Sequence, residues 1–327
     1  MGMLVDGEWE MAPLFANDKK GAFNRPVSAF RNWITKDGSS GFKAEPDRYH
    51  LYISYACPWA CRALIFRSLK GLEKIISLSV VEPLMLENGW EFGSKEKGTE
   101  DPINHAKYLY ELYQKADPHY TGKITVPIIW DKKKHTIVNN ESSEIIRMLN
   151  TEFNDYTKNQ YDFYPKKFQK EIDEINNYIY ENVNNGVYKC GFANSQAAYE
   201  EAFDNLFFAL DKIEKILDTQ RYLIDNTITE ADWRLFTTLI RFDVVYYGHF
   251  KCNLKRIEDY PNLSNYLRDL YQTLGIKETV NFQHIKKHYY GSHKIINPSG
   301  IIPKGPMIDF DRPHNRDESF KSLAKEK

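Results

Sequence analysis

The sequence predicts an α/β domain over residues 48–150 followed by an all-helical domain over residues 166–290. Three observations carry this reading. Strand, helix and strand signals alternate within residues 49–81, two strands and a capped helix follow from residue 126, and beyond residue 165 strand signals give way to helical periodicity. A chain of 327 residues suits two domains better than one, and 42% hydrophobic content supplies each with a core.

Residues 1–47 mix Gly, Pro, Asn and charge without a sustained period, which predicts an ordered but irregular arm pinned by aromatics such as Trp9, Phe30 and Trp33. Residues 49–54 then read as a strand, 58–70 as a helix closed by Gly71, and 74–81 as a second strand. So short a strand, helix and strand is a βαβ unit with a parallel pair. A helix is expected at 103–115, a hairpin from 126–131 and 136–138 around three lysines, and a capped helix from Asn140. The order βαβαββα is that of a thioredoxin-like domain. Residues 151–165, rich in Asn, Asp and Tyr, read as a linker. Helices are expected at 166–184, 195–218, 230–250 and 262–275, and a Pro-rich extended tail over 291–327. Thr229 and Asp232 form a capping-box pattern whose role is folding.

Lys plus Arg total 44 against 45 Asp plus Glu, so the formal charge of −1 recruits neither nucleic acid nor an anionic membrane. Four cysteines, Cys57, Cys61, Cys190 and Cys252, are too few for a secreted disulfide framework and lack metal-site spacing. No metal is expected. The start lacks the apolar core of a signal peptide, and no apolar run reaches the ~20 residues that span a bilayer. A cytosolic protein acting on small molecules is the expectation.

Chemistry centres on Cys57. It stands between the first strand and the first helix in Ser54-Tyr55-Ala56-Cys57-Pro58-Trp59-Ala60, with Pro58 where no amide donor is needed. Amides and dipole at a helix start stabilise a thiolate and can bring a cysteine pKa to about 3.5–7.5. A lone cysteine is ordinarily a small buried hydrophobe, but the position after a strand and before proline favours a nucleophile. Cys61 follows at Cys-x-x-x-Cys spacing, which suits core packing better than dithiol exchange. A monothiol mechanism completed by glutathione is therefore favoured.

Two further segments fit such a site. Thr125-Val126-Pro127 precedes a strand, and a cis bond there would turn the Val126 backbone toward an extended peptide. Glu141 and Ser142, at the next helix start, offer a carboxylate to an ammonium and a hydroxyl with amides to a carboxylate, the two ends of a γ-glutamyl group.

At this point the chain from Phe42 to Pro313 resembles the glutathionyl-hydroquinone reductases, Xi-class relatives of the Omega glutathione transferases. The resemblance rests on the Cys57 segment, Asn88-Gly89-Trp90, Asn139-Asn140-Glu141-Ser142, Asn184-Asn185-Gly186-Val187-Tyr188-Lys189, Arg241-Phe242-Asp243, His249-Phe250-Lys251-Cys252, His288-Tyr289-Tyr290 and Ile295-Ile296-Asn297-Pro298. It implies an all-α glutathione transferase C-terminal domain, glutathione as co-substrate and a homodimer. It also implies attack of the Cys57 thiolate on the sulfur of a glutathionyl-hydroquinone, leaving a mixed disulfide that a second glutathione resolves. By the same resemblance Tyr188 is the proton donor, and Tyr246 and Tyr289 lower the Cys57 pKa by hydrogen bonding to its thiolate. Trp90, Lys123, Ile124, Thr125, Val126, Glu141 and Ser142 are implied to bind glutathione. Lys123 stands where relatives carry arginine, keeping the charge but losing a bidentate fork.

The alternatives weighed are an Omega-like thiol transferase or dehydroascorbate reductase using the same Cys57, and a non-catalytic binding protein on the transferase fold. Conventional glutathione conjugation is disfavoured, because a protein thiolate at that spot forms a mixed disulfide instead.

Overall fold

A computed structural model describes residues 2–12 and 16–320. The arm is more regular than its composition suggested. Strands β1 (Gly2–Val5) and β2 (Glu8–Met11) pair antiparallel around Asp6 and Gly7, both at positive φ (48° and 81°), as a two-residue hairpin turn requires. A second small hairpin joins β3 (Ala16–Asn17) to β4 (Phe23–Asn24). The irregular arm is thus corrected: Asp-Gly between Leu4 and Trp9 was the hairpin signal. The arm is laid along the α/β domain by paired backbone bonds between Leu4 and Gly122 (3.0 and 2.9 Å) and by the Asn32 amide donating to the Val138 carbonyl (3.0 Å).

The central sheet comprises β5 (Tyr49–Ile53), β6 (Ser77–Val80), β9 (Ile128–Asp131) and β10 (Thr136–Asn139), in the order β10-β9-β5-β6. Only β5 and β6 run parallel, connected by α1 (Pro58–Leu69), the expected βαβ unit. β5 is buried along its whole length, with His50 held between the Ser77 and Ser79 hydroxyls at 2.7 and 2.9 Å. β6 begins three residues later than expected, because the amides of Ile75 and Ile76 turn back onto the Leu72 carbonyl. Short strands β7 (Met85–Leu86) and β8 (Gly89–Trp90) follow.

Helix α2 occupies only Tyr110–Ala116. Upstream, the Asp101 carboxylate accepts the amides of Ile103, Asn104 and Ala106 and competes with the helix. α3 (Ser142–Thr151) is capped by Glu141, whose side chain accepts the Ser143 amide. The linker is tied down: the Phe163 amide donates to Asn150 and its carbonyl accepts from Glu230 (3.0 and 2.8 Å).

The second half contains α4 (Gln169–Ile179), α5 (Gly186–Phe192), α6 (Gln196–Thr219), α7 (Glu230–Arg241), α8 (Tyr247–His249), α9 (Pro261–Tyr271) and α10 (Phe282–Ser292). The continuous helices expected at 166–184 and 230–250 are each interrupted by a π-helical turn, Tyr180–Asn184 and Phe242–Tyr246. Such turns re-aim side chains and concentrate at functional sites. Helices α5 and α10 escaped the sequence reading. α5 has only seven residues, and its Gly191 lets the Phe250 ring approach so closely that a Cβ would lie 2.3 Å from it. The capping box at Thr229 and Asp232 is formed. Over its described residues the extended tail carries a single helical turn, α11 (Arg316–Ser319), whose buried Arg316 donates to the carbonyls of Leu217 and Arg221; the tail expected at 321–327 lies outside the described residues. Among the described residues no helix is long and apolar enough to cross a membrane.

Candidate active site

Cys57 is the N-cap residue of α1, with extended backbone (φ −75°, ψ 121°) and Pro58 opening the helix. Its half-buried thiol donates to the Val126 carbonyl at 3.4 Å, and the Val126-Pro127 bond is cis. The strand-to-helix placement of Cys57 and the cis Val126-Pro127 bond are as expected. Its ionisation is not. Burial pushes the Cys57 thiol up, and this outweighs the opposing pull of the Ala60 and Trp59 amides and of Arg241 and Arg25. The helix start therefore acts against a desolvation penalty that the sequence did not reveal.

Tyr188 on α5, Tyr246 at the end of the second π turn and Tyr289 on α10 converge. Their hydroxyls form a chain, Tyr188 to Tyr289 at 2.6 Å and Tyr289 to Tyr246 at 3.0 Å. Burial raises all three phenols, so each keeps its proton; the neighbouring Cys57 raises Tyr188 further, and Arg25 opposes this. A phenol that holds its proton beside a thiol suits a proton donor. Among the described hydrogen bonds the Tyr246 and Tyr289 hydroxyls serve one another and Tyr188, because buried hydroxyls take the polar partner that packing presents.

Cys57, Tyr188 and Tyr289 line one cavity with Trp90, Lys123, Ile124, Thr125, Val126, Glu141 and Ser142. Of the sequence-predicted site residues only Tyr246 stands behind that wall, reaching the cavity through Tyr289. Trp90 stacks on His288 with centroids 4.8 Å apart. Tyr113 braces the Lys123–Val126 segment, its hydroxyl donating to the Thr125 carbonyl at 2.9 Å. Burial lowers the Lys123 pKa. Burial by itself raises the Glu141 carboxyl, but hydrogen bonds from the Ser143 amide and hydroxyl and the Ser28 hydroxyl, with Arg62 nearby, bring it below the usual carboxylate range. An ionised carboxylate at the cavity wall is thereby maintained. Arg62 also reaches the Ser142 hydroxyl at 3.5 Å.

The arm supplies wall residues that the sequence reading missed. Arg25 lies over the rings of Trp59 and Tyr188, both at 4.8 Å, and donates to Asn185 at 2.9 Å. Trp9 and Ser28 also reach the cavity. The aromatics of the arm were the available signal, but nothing in their spacing shows which wall they face. His288 and His293 complete the far side. A second cleft of about 1450 Å³ adjoins, sharing Met85, Gly89 and His293. Cys61 is buried, its thiol directed at the Thr279 carbonyl (3.8 Å). Cys190 and Cys252, scattered in sequence, interact in the core; burial first, then Cys190, raises Cys252. Among the described residues no group of three or more His, Cys, Asp or Glu is placed to hold a metal ion.

A mixed four-stranded sheet with a cysteine at the first helix start, docked on a helical domain, defines the class. Residues 56–152 match the glutathione S-transferase N-terminal domain and residues 196–269 the C-terminal domain, and the chain belongs to the glutathione S-transferase family. Within that family its resemblance is to the Xi class. It is 57% identical to glutathionyl-hydroquinone reductase YqjG of Escherichia coli K12, covering 98% of this chain and 100% of that protein. It is 52% identical to glutathionyl-hydroquinone reductase PcpF of Sphingobium chlorophenolicum, over 94% and 96% of the two chains. A solved glutathione-bound structure of YqjG matches 97% of this chain and 99% of its own with a TM-score of 0.90 and 55% identity. A Xi-class transferase from Natrialba magadii matches 97% of both chains, with a TM-score of 0.91 and 50% identity.

Proposed function

We propose that this protein reduces glutathionyl-hydroquinones to hydroquinones at the expense of glutathione, with Cys57 as nucleophile. The observation that carries the reading is the single cavity in which Cys57, the tyrosine chain and the Glu141-Ser142 helix start meet. The relatives named for this activity, and the glutathione-bound relative of matching fold, support it.

The Cys57 thiolate attacks the sulfur of the glutathionyl-hydroquinone. The sulfur–carbon bond breaks, its electron pair stays on the aryl carbon, and Tyr188 delivers the proton that gives free hydroquinone. The thiol proton of a second glutathione returns to Tyr188, and its thiolate attacks the Cys57–glutathione disulfide, releasing glutathione disulfide and regenerating the Cys57 thiolate. Trp90 packs on glutathione, the Val126 backbone pairs with its peptide, Glu141 takes its ammonium and Ser142 its γ-glutamyl carboxylate. Lys123 and Ile124 complete that wall. Tyr246 and Tyr289 act through Tyr188, sharing the charge left when it gives up its proton.

In this reading residues 48–150 bind glutathione and residues 166–290 shape the quinol site, the arm, linker and tail being auxiliary. The protein works as a cytosolic homodimer without a metal, which sedimentation and metal analysis test. The decisive experiment supplies a glutathionyl-hydroquinone and excess glutathione and follows hydroquinone and glutathione disulfide, with Cys57→Ala beside it. Turnover by the native chain alone supports the proposal. No turnover, with thiol-transferase activity present, favours the Omega-like reading that the name of the 48% identical Schizosaccharomyces pombe relative, glutathione S-transferase omega-like 2, also carries.

A further inference from the structure

We propose that Arg241 is the positioning residue of the nucleophile: it holds the turn that presents Cys57 and supplies, from beneath, the fixed positive charge the thiolate faces. The inference rests on the reading of Cys57 as nucleophile.

Arg241 ends α7 and is fully buried where the helical domain meets the α/β domain. Its Nη2 donates to the Tyr55 carbonyl at 2.9 Å and its Nε to the Ala56 carbonyl at 3.0 Å, the two residues immediately before Cys57. Nη1 returns to the Thr237 carbonyl on its own helix at 2.7 Å. From the other side the turn is closed by Ser54, whose carbonyl accepts the Cys57 amide and whose hydroxyl accepts the Ala56 amide, both at 3.2 Å. The turn that leads into Cys57 is thus gripped by a residue 184 positions from that cysteine, on the other domain.

A guanidinium withdrawn from water is costly unless its charge is compensated. Arg241 has carbonyl dipoles around it and, among the described residues, no ion pair with a carboxylate. Carbonyl oxygens solvate a cation without neutralising it. Two thiols lie near Arg241: Cys61, which its guanidinium itself contacts and which is sealed in the core beside the Thr279 carbonyl, and Cys57. Cys57 is the one that lines the cavity, so an anion made there is the anion this buried cation can stabilise.

The other groups around Cys57 act differently. Arg25 and Lys123 stand in the cavity wall, where solvent and salt reach them, and Glu141 is the one carboxylate among the lining residues. Tyr188 and Tyr289 are held as neutral phenols by burial, His288 and His293 as neutral imidazoles, and Tyr180 closes the rim.

The test measures alkylation of Cys57 by iodoacetamide against pH in the full chain, with the modified residue identified by peptide mass spectrometry. It needs no quinol substrate, so it succeeds or fails independently of the reductase reading. Arg241→Met, checked for native near-ultraviolet dichroism, is expected to raise the pH midpoint by about one unit or more and to slow alkylation at pH 7 ~10-fold, with the high-pH plateau retained. Arg241→Lys, which keeps the charge but loses part of the bridge to the turn, is expected to stay near the native midpoint. In the native chain about 1 M salt is expected to leave the midpoint in place, because a buried charge is poorly screened. A natively folded Met variant with the native midpoint overturns the proposal, as does a Lys variant shifted as far as Met. If the Met variant does not fold, a native midpoint that rises by about a unit in salt overturns it, since wall charges then hold the thiolate.

Discussion

The hydroxyls of Tyr188 and Tyr289 lie 2.6 Å apart although 101 residues separate them in the chain. One is on α5, the other on α10, and Tyr246 extends the contact by a further 3.0 Å. Three buried phenols in series make a polar thread through an aromatic wall that includes Phe250. Loss of any hydroxyl leaves its neighbour with one partner fewer, so the three should behave as a unit.

Tyr188→Phe is accordingly expected to lower kcat about 10²-fold or more, with a small change in KM for glutathione. Tyr289→Phe should lower kcat less, and the double variant should fall short of the sum of the two effects by ~1 kcal/mol. Steady-state kinetics of the four proteins in a double-mutant cycle measures this.

In the proposed mechanism, replacing Cys57 by Ser removes the sulfur that forms the mixed disulfide and leaves a hydroxyl able to hydrogen-bond the thiolate of glutathione. The expected outcome for Cys57→Ser is loss of reductase turnover and gain of conjugation with a generic electrophile such as a chlorodinitrobenzene. Conjugation no greater than background sinks the idea that one cavity supports both chemistries.

Glu141 has two duties that substitution can separate. As N-cap of α3 it accepts the Ser143 amide, and in the proposed binding mode its ionised carboxylate takes the ammonium of glutathione. Glu141→Gln keeps an acceptor and loses the charge, so glutathione affinity should fall ~10-fold or more while the melting temperature changes little. Glu141→Ala also loses the cap and should cost a further ~1 kcal/mol of stability. Calorimetric titration and thermal melts on both variants separate the two effects.

His249 and His293 contact each other in the core, with ring nitrogens 3.2 Å apart. Burial lowers the His249 pKa from 6.5 to about 4. The unfolded chain therefore binds this proton near pH 6.5 and the folded chain resists it until about pH 4, so acidification across that window favours unfolding. His249→Gln should lose less stability than the native protein between those limits, by on the order of 2 kcal/mol in denaturant titrations. Equal losses in the two proteins contradict the assignment.

Sequence patterning reached far in the α/β domain because its signals are local. An alternating apolar run, a cysteine before a proline and a glycine after a helix each restrict the backbone within a few residues, and the order of β5, α1, β6, β9, β10 and α3 follows from them. The Asp6-Gly7 hairpin was equally local and was hidden by the polar composition around it. Where local preferences compete with side-chain acceptors, as at Asp101 before α2, element boundaries moved. The π turns at Tyr180–Asn184 and Phe242–Tyr246 left the helical period nearly intact and so no trace to read.

The sequence by itself determined where the candidate nucleophile stands, since Cys57 between strand and helix is defined by its neighbours in the chain, and through resemblance it nominated partners for that cysteine. Only the tertiary structure decided how those partners meet. The linking of Tyr246 and Tyr289 to Tyr188, the Arg25 wall contributed by the arm, and the Arg241 grip on the turn all join residues distant in sequence. The direction in which the Cys57 thiol is shifted was decided there too. Desolvation depends on everything packed around a group, and no spacing within the chain encodes it.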